Sequence, residues 1–260
     1  MLERNYLKEA IQSGRPAIGI WNTLASPLVT ETLARAGFDF LIIDFEHGPY
    51  QLDSVHDYAT RCERHACSPI VRIPALSDWM ALQALDQGAH GVMVPHVEDA
   101  AAVRALTAAV KYHPLGTRGY SPYTKAGGFS GQDGAAYAAR ANALTLSLAV
   151  IESREGLNRL DEMLAVEGLD VVYFGAYDLS QALGVPGQVR HPKVLEAISA
   201  GVRRASAAGK CAGGFVAQSQ DDVKWLLDMG MRFITYQVDS ALLFRAANDV
   251  TAWFREEAAR

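Results

Sequence analysis

The sequence predicts an α/β protein, a single-domain (β/α)8 TIM barrel with an N-terminal helix, on three observations. Strand-like and helix-like segments alternate along the whole chain. The strand-like segments number eight. Most of them are apolar over nearly their full length, as parallel strands covered by helices on both faces are. A doubly wound open sheet would carry a Gly-rich dinucleotide or phosphate turn after an early strand, and Gly127-Gly128 and Gly213-Gly214 match neither spacing. No linker or low-complexity stretch divides 1–260, so one domain is expected.

The elements follow in order. MLERNYLKEAIQSG at 1–14 reads as an amphipathic helix, because no apolar stretch follows its charges as it would in a secretion signal. AIGIWNTL at 17–24 is the first strand, followed by a helix at 27–36. The apolar run at 38–47 is the second strand, followed by a helix at 52–65. PIVRIP at 69–74 is the third, with a helix at 77–87, and 91–97 is the fourth. Residues 99–111 are Ala/Val-rich at helical spacing. The Gly- and Pro-containing stretch 113–134 breaks the rhythm, and a short helix at 134–142 restores it. Strands at 146–152 and 170–175 flank a helix at 155–166. A helix near 192–208, the strand CAGGFVA at 211–217, a helix at 219–229 and the strand FITYQVD at 233–239 lead to a final helix over 240–260.

Bulk properties exclude several roles. The net charge is −5 with no long Lys/Arg run, so neither nucleic acid nor an anionic membrane is an expected partner. No run of 18 apolar residues offers a membrane span. The 3 cysteines, Cys62, Cys67 and Cys211, form no CxxC and are odd in number, which suits a reducing, cytoplasmic location.

The chemistry concentrates where apolar runs stop. LIIDFEHGP at 41–49, PIVRIP at 69–74, LAVIES at 148–153 and VVYFGAYDLS at 171–180 each end in useful side chains: Asp44, Glu46, His47, Arg72, Glu152 and Asp178. In this fold the active site lies at the C-terminal ends of the strands. Glu152 and Asp178 are one βα unit apart, hence neighbours on that rim. Two ionised carboxylates side by side need a counter-charge, which a hard divalent cation supplies; alternatively each caps the helix that follows it. His47 can move a proton near neutral pH, with Asp44 to orient it, or it is only a turn residue before Gly48-Pro49. By alternation Asp44 and Glu46 share a side of their strand. His96, after Pro95, is a weaker version of the same idea. Arg72, within an apolar strand, needs an anion, either Asp44 or Glu46 or a substrate carboxylate. The 113–134 stretch is expected as a long loop on the catalytic rim, where Arg118 and Lys125 could meet an anionic substrate, or as an oligomer contact. Trp21 and Asn22 line the pocket or belong to the core. No lysine stands at a strand end of this set, which disfavours Schiff-base chemistry.

Six segments carry a further resemblance: FDFLIIDFEHGP, PIVRIP, GAHGVMVPHVEDAAAV, PLGTRGYS, VIESREGLNRLDEMLAVEGLD and GAYDLSQALG. In this order they resemble the HpcH/HpaI aldolase family, whose type member is 4-hydroxy-2-oxoheptanedioate aldolase, over about residues 14–245. The resemblance implies a (β/α)8 barrel and a class II pyruvate aldolase that uses Mg2+, Mn2+ or Co2+. It places metal ligands at Glu152 and Asp178, and a catalytic histidine at His47 with Asp44 supporting it. It also places a pyruvate-binding arginine at Arg72 and contacts to the pyruvate carboxylate at Gly175, Ala176 and Tyr177. By the same resemblance His47 acts through a metal-bound water on the 4-hydroxyl of a 4-hydroxy-2-oxo acid, which yields pyruvate and an aldehyde through an enolate. The family implies a homo-oligomer, a hexamer built as a trimer of dimers, with the C-terminal helix 240–260 packed on a neighbour. Two departures stand out. Val150 replaces a frequent glutamine, and Gly175-Ala176-Tyr177-Asp178 replaces a frequent Gly-Pro-x-Asp. SPYTKAGGF is similar to a branch that includes a siderophore-pathway citrate synthase. The alternative is therefore a metal-free condensation of oxaloacetate with acetyl-CoA, or related acyl-CoA lyase chemistry.

Overall fold

A computed structural model describes residues 4–130 and 133–260. Residues 1–3 of the expected first helix, and 131–132 of the expected rim loop, lie outside the described residues. The order is α1 (Tyr6–Gln12), β1 (Ala17–Asn22), α2 (Pro27–Arg35), β2 (Phe40–Asp44), α3 (Val55–Glu63), β3 (Ser68–Arg72), α4 (Asp78–Asp86), β4 (Gly91–Val94) and α5 (Ala100–Val110). Then come α6 (Gly134–Leu144), β5 (Leu146–Ile151), α7 (Arg154–Asn158), α8 (Leu160–Leu164), β6 (Val171–Phe174) and α9 (Ala176–Ala182). The chain ends with α10 (Pro192–Ala207), β7 (Cys211–Ala217), α11 (Gln220–Asp228), β8 (Phe233–Val238) and α12 (Asp239–Ala258). The eight strands are parallel and close a barrel in chain order, β1 pairing with β8. Among the described residues no helix is long and apolar enough to cross a membrane.

Several boundaries differ from expectation: the first and fourth strands, expected at 17–24 and 91–97, end at Asn22 and Val94. The second strand ends at Asp44 rather than 47. The helix expected at 155–166 breaks at Arg159, whose φ of −93° and ψ of 12° leave the helical range. The expected helix at 52–65 opens with a 3-10 turn, Leu52–Ser54.

Alternation along each strand sorts the core into two layers. Phe40 and Ile42 of β2, Ile70 of β3, Leu148 and Val150 of β5, and Val171 and Tyr173 of β6 fill the barrel interior. There the rings of Phe40 and Phe233 stack with centroids 4.0 Å apart. A Cβ at Gly19 would lie 2.3 Å from the Phe40 ring, so only glycine admits that ring. The intervening Ile43, Val71, Val92, Ala149 and Val172 face the helices. Asp44, Arg72 and Glu152 continue the inward rows by two residues, which is why they end at the mouth of the barrel.

Leu7 and Ala10 of α1 belong to the interior cluster and plug the opposite end. Asn5 caps α1 by accepting from the Lys8 N–H at 3.1 Å. Its amide also donates to the carbonyls of His90 and Leu144 at 3.1 and 2.8 Å, which ties the plug to the bottoms of β4 and β5.

The 113–134 stretch is not on the catalytic rim of its own barrel. It follows α5 and leads through α6 into β5, and a helix-to-strand connection runs at the N-terminal ends of the strands. Its cations are committed there. Arg118 pairs with Asp86 of α4 at 2.7 Å and stacks over the Tyr112 ring at 4.5 Å. Lys125 pairs with Glu63 of α3 at 2.8 Å and donates to Thr60 Oγ1 at 3.0 Å.

His90, at the same end, makes one pH prediction. It is buried, its Nδ1 has no hydrogen-bond partner among the described residues, and Nε2 lies 3.6 Å from Glu63. Burial pushes its pKa below the ordinary 6.5, outweighing the upward pull of Glu63. The unfolded chain therefore binds this proton more readily, and the stability present above about pH 6.5 is lost as pH falls through the lower folded value. Urea midpoints of wild type and His90→Gln are expected to converge between pH 7.5 and pH 5, because only the wild type loses this contribution. A constant gap between the two proteins would contradict it.

Candidate active site

The site is built from the end of β2 outward. Asp44 is 1% exposed and lies opposite Arg72 in the β2–β3 register. Its Oδ1 accepts the backbone N–H groups of Glu46 and His47 at 3.1 and 3.3 Å, an Asx-type turn that ends the strand. Glu46 therefore stands on the turn, not beside Asp44 on one strand face. The carboxylate of Asp44 also takes two parallel hydrogen bonds from Arg72, Nε to Oδ1 at 2.8 Å and Nη2 to Oδ2 at 2.6 Å. Arg72 Nη1 lies 2.7 Å from Glu46 Oε2, and the guanidinium sits over the Trp21 ring at 4.3 Å. Arg72 thus has both protein carboxylates as its anions and still lines the cavity.

One expected contact is absent. The carboxylate of Asp44 meets His47 through the backbone amide while it holds Arg72, and among the described residues it makes no hydrogen bond to the His47 ring. The imidazole of His47 is exposed at the mouth of the cavity.

Glu152 follows β5 and is 6% exposed. Its Oε1 accepts the His96 backbone N–H at 2.8 Å, and His96 Nδ1 lies 2.9 Å from the same oxygen. Burial pushes the Glu152 carboxyl above the usual carboxylate range; the His96 contacts oppose this, and the charges of Asp178 and Glu46 push it further up. Asp178 lies in the first turn of α9, where Gln181 Nε2 donates to its Oδ1 at 3.2 Å. Neither carboxylate is a helix cap. Ser153 caps α7 by accepting from the Gly156 N–H at 3.0 Å, and Gly175 holds the N-cap position of α9.

Nine of the sequence-predicted site residues line one cavity of about 380 Å³; Glu46, His96 and Asn22 are not among its lining. Asp44, His47, Arg72 and Trp21 form one side of it, and Glu152, Gly175, Ala176, Tyr177 and Asp178 the other. Trp21 serves both expected roles, since it is also 6% exposed core. Tyr177 is 54% exposed, so its bulk stands at the mouth rather than across the floor. Asn22 does not line the cavity; it donates to Asp239 at 2.6 Å and accepts from Thr30 at 2.7 Å.

The sequence reading missed Tyr173 and underweighted His96. Tyr173 forms part of the floor, with its hydroxyl 2.9 Å from Thr235 Oγ1 and accepting from Trp21 Nε1 at 3.3 Å. Its two-residue spacing from Val171 was the available signal. Val150, Val216 and Val238 supply an apolar wall.

A divalent cation fits this donor set. Glu152 and Asp178 offer hard oxygen donors to one cavity, and after burial the charge of Asp178 is among the influences that raise the Glu152 carboxyl. Among the described residues, Glu152 Oε2 accepts no hydrogen bond. A Cβ at residue 175 would come within 2.6 Å of that oxygen, so glycine there keeps it uncovered. Two carboxylates leave the remaining positions for water and substrate oxygens.

A rim of strand ends that gathers acid, base and arginine around one cavity defines a (β/α)8 enzyme. Comparison with known proteins narrows this. The HpcH/HpaI aldolase/citrate lyase family model matches residues 17–246. The chain is 35% identical to a hydroxypyruvate/pyruvate aldolase of Roseobacter denitrificans, covering 97% of this chain and 98% of that one. It is 36% identical to a 4-hydroxy-2-oxo-heptane-1,7-dioate aldolase of Salmonella heidelberg, covering 98% and 96%. The crystal structure of citrate synthase SbnG superposes with a TM-score of 0.89 at 28% identity, covering 99% of this chain and 100% of that one. The chain belongs to the HpcH/HpaI aldolase/citrate lyase family. It is a carbon–carbon lyase.

Proposed function

We propose that this enzyme reversibly cleaves 4-hydroxy-2-oxo acids to pyruvate and an aldehyde, with a divalent cation held by Glu152 and Asp178. The observation that carries this reading is the uncovered Oε2 of Glu152, facing the same cavity as Asp178, Arg72 and His47. When bound, the cation supplies Lewis-acid polarisation of the 2-oxo group. Arg72, held by Asp44 and Glu46 and backed by Trp21, presents a fixed positive edge to the charge that develops on the 2-oxo oxygen. His47 takes the 4-hydroxyl proton. The C3–C4 bond then breaks as C4 and its oxygen become the aldehyde carbonyl, the electron pair moves to C3 and the 2-oxo group, and the proton held by His47 is returned to C3 to give pyruvate. Tyr173 and the valine wall keep bulk water from the reacting carbon.

The test needs no knowledge of the aldehyde. Pyruvate incubated with enzyme in deuterated buffer is expected to exchange its methyl protons when Mg2+ or Mn2+ is present, and to stop after EDTA treatment. Equal exchange in metal-stripped enzyme would sink the metal reading. A second reading, condensation of oxaloacetate with acetyl-CoA, is favoured by Val150, which places an apolar side chain in the cavity wall, and by the likeness to citrate synthase SbnG. Acetyl-CoA-dependent loss of oxaloacetate without added metal would select it.

The assembly we propose is a homo-oligomer, a hexamer, sealed by α12. Leu243, Phe244, Trp253 and Phe254 of this helix are more than half exposed, a larger apolar face than a monomer usually leaves to water. The double variant Trp253→Asp, Phe254→Asp is expected to lower the mass measured by light scattering. An unchanged mass would remove α12 from the interface.

A further inference from the structure

We propose that His96 is a positioning residue that clamps Glu152 Oε1, so that Oε2 alone is presented to the cation, and that links Glu152 to the Glu46–Arg72–Asp44 cluster. The inference rests on the metal reading above and goes beyond it, since it gives His96 a supporting role rather than that of a proton carrier.

Three contacts converge on this residue. Its backbone N–H donates to Glu152 Oε1 at 2.8 Å, its Nδ1 lies 2.9 Å from the same oxygen, and its Nε2 faces Glu46 Oε1 at 3.7 Å. The backbone makes this convergence possible. His96 has a φ of +54°, the left-handed region that few non-glycine residues adopt and in which Asn, Asp and His are the commonest of those that do. Strain of this kind is retained where the surroundings hold it, and it clusters at functional sites. The 3.7 Å approach to Glu46 is an ion-pair distance rather than a hydrogen bond; the next links are shorter, Glu46 to Arg72 at 2.7 Å and Arg72 to Asp44 at 2.6 Å. The result is a continuous line of side chains from the cation carboxylate to the aspartate whose oxygen holds the His47 amide. A ligating carboxylate fixed through its other oxygen keeps its orientation when the cation leaves, and loss of such support typically weakens metal binding.

The test measures Mn2+ binding to substrate-free, full-length enzyme from the electron paramagnetic resonance signal of free Mn2+. Two variants separate ring from backbone. His96→Gly suits the left-handed backbone and keeps the N–H contact while removing the ring. His96→Asn also tolerates that backbone and returns an N–H donor near the Nδ1 position. We expect His96→Gly to weaken Mn2+ affinity about tenfold and His96→Asn to recover most of it, with unchanged thermal unfolding in EDTA. His96→Gly within twofold of wild type would overturn the inference, as would His96→Asn binding no better than His96→Gly. A wild type that binds no Mn2+ would instead remove the metal reading itself, and this inference with it. The two failures are distinguishable because the first requires a wild type that binds.

Discussion

Arg72→Ala is expected to cost about 3–5 kcal/mol of folding stability, because it strands two carboxylates that the fold has placed out of water. The side chains of Arg72 and Asp44 are 11% and 2% exposed, and Glu46 is 15% exposed. Removing the guanidinium deletes the fork to Asp44 and the contact to Glu46, and it leaves the Trp21 ring without the cation over it. The expected fall in melting temperature is on the order of 10 °C for a chain of this size. Arg72→Lys restores a charge but not the fork, so it should recover part of the stability and little of the turnover. Thermal unfolding and pyruvate release from the three proteins check this. If Arg72→Ala melts within about 2 °C of wild type, the cluster is not the support described above.

Glu152→Gln is expected to lower kcat/KM by on the order of a thousandfold, equivalent to about 4 kcal/mol of transition-state stabilisation. The amide is nearly isosteric and can still accept the His96 backbone N–H, so the change removes charge rather than shape. The fold should respond in the opposite direction. In metal-free protein Glu152 is a buried charge set near Asp178 and Glu46, and a neutral amide relieves that cost. Glu152→Gln in EDTA should therefore melt above wild type in EDTA, while added Mn2+ should raise the melting temperature of wild type only. Lost activity with gained apo stability is the signature of a ligand; a purely structural glutamate would lose both.

Much of this architecture was legible before any coordinates, for a simple reason. A parallel strand covered on both faces must be apolar throughout, so a polar residue that ends the run marks the mouth of the barrel. Asp44, Arg72 and Glu152 also continue the two-residue rows of Ile42, Ile70 and Val150. The 113–134 stretch lies away from the rim where its length suggests a lid, since a segment between a helix and the next strand returns at the N-terminal face. The support of His47 could not be read this way. Whether the carboxylate of Asp44 reaches a ring, an amide or a guanidinium depends on where β3 lies beside β2, and the two residues of the fork are 28 apart in sequence.

The sequence by itself determined the barrel and the rim where Asp44, His47, Arg72, Glu152 and Asp178 gather, because strand periodicity and strand ends are local properties; Gly175, Ala176 and Tyr177 came from the family resemblance instead. The tertiary structure alone decided which oxygen meets which donor. It committed Arg72 to both Asp44 and Glu46, denied the caps to Glu152 and Asp178, and brought His96 to Glu152 across 56 residues. Such contacts depend on turn geometry and on a left-handed backbone at one residue, and these are set by the closing of the barrel rather than by any local pattern of residues.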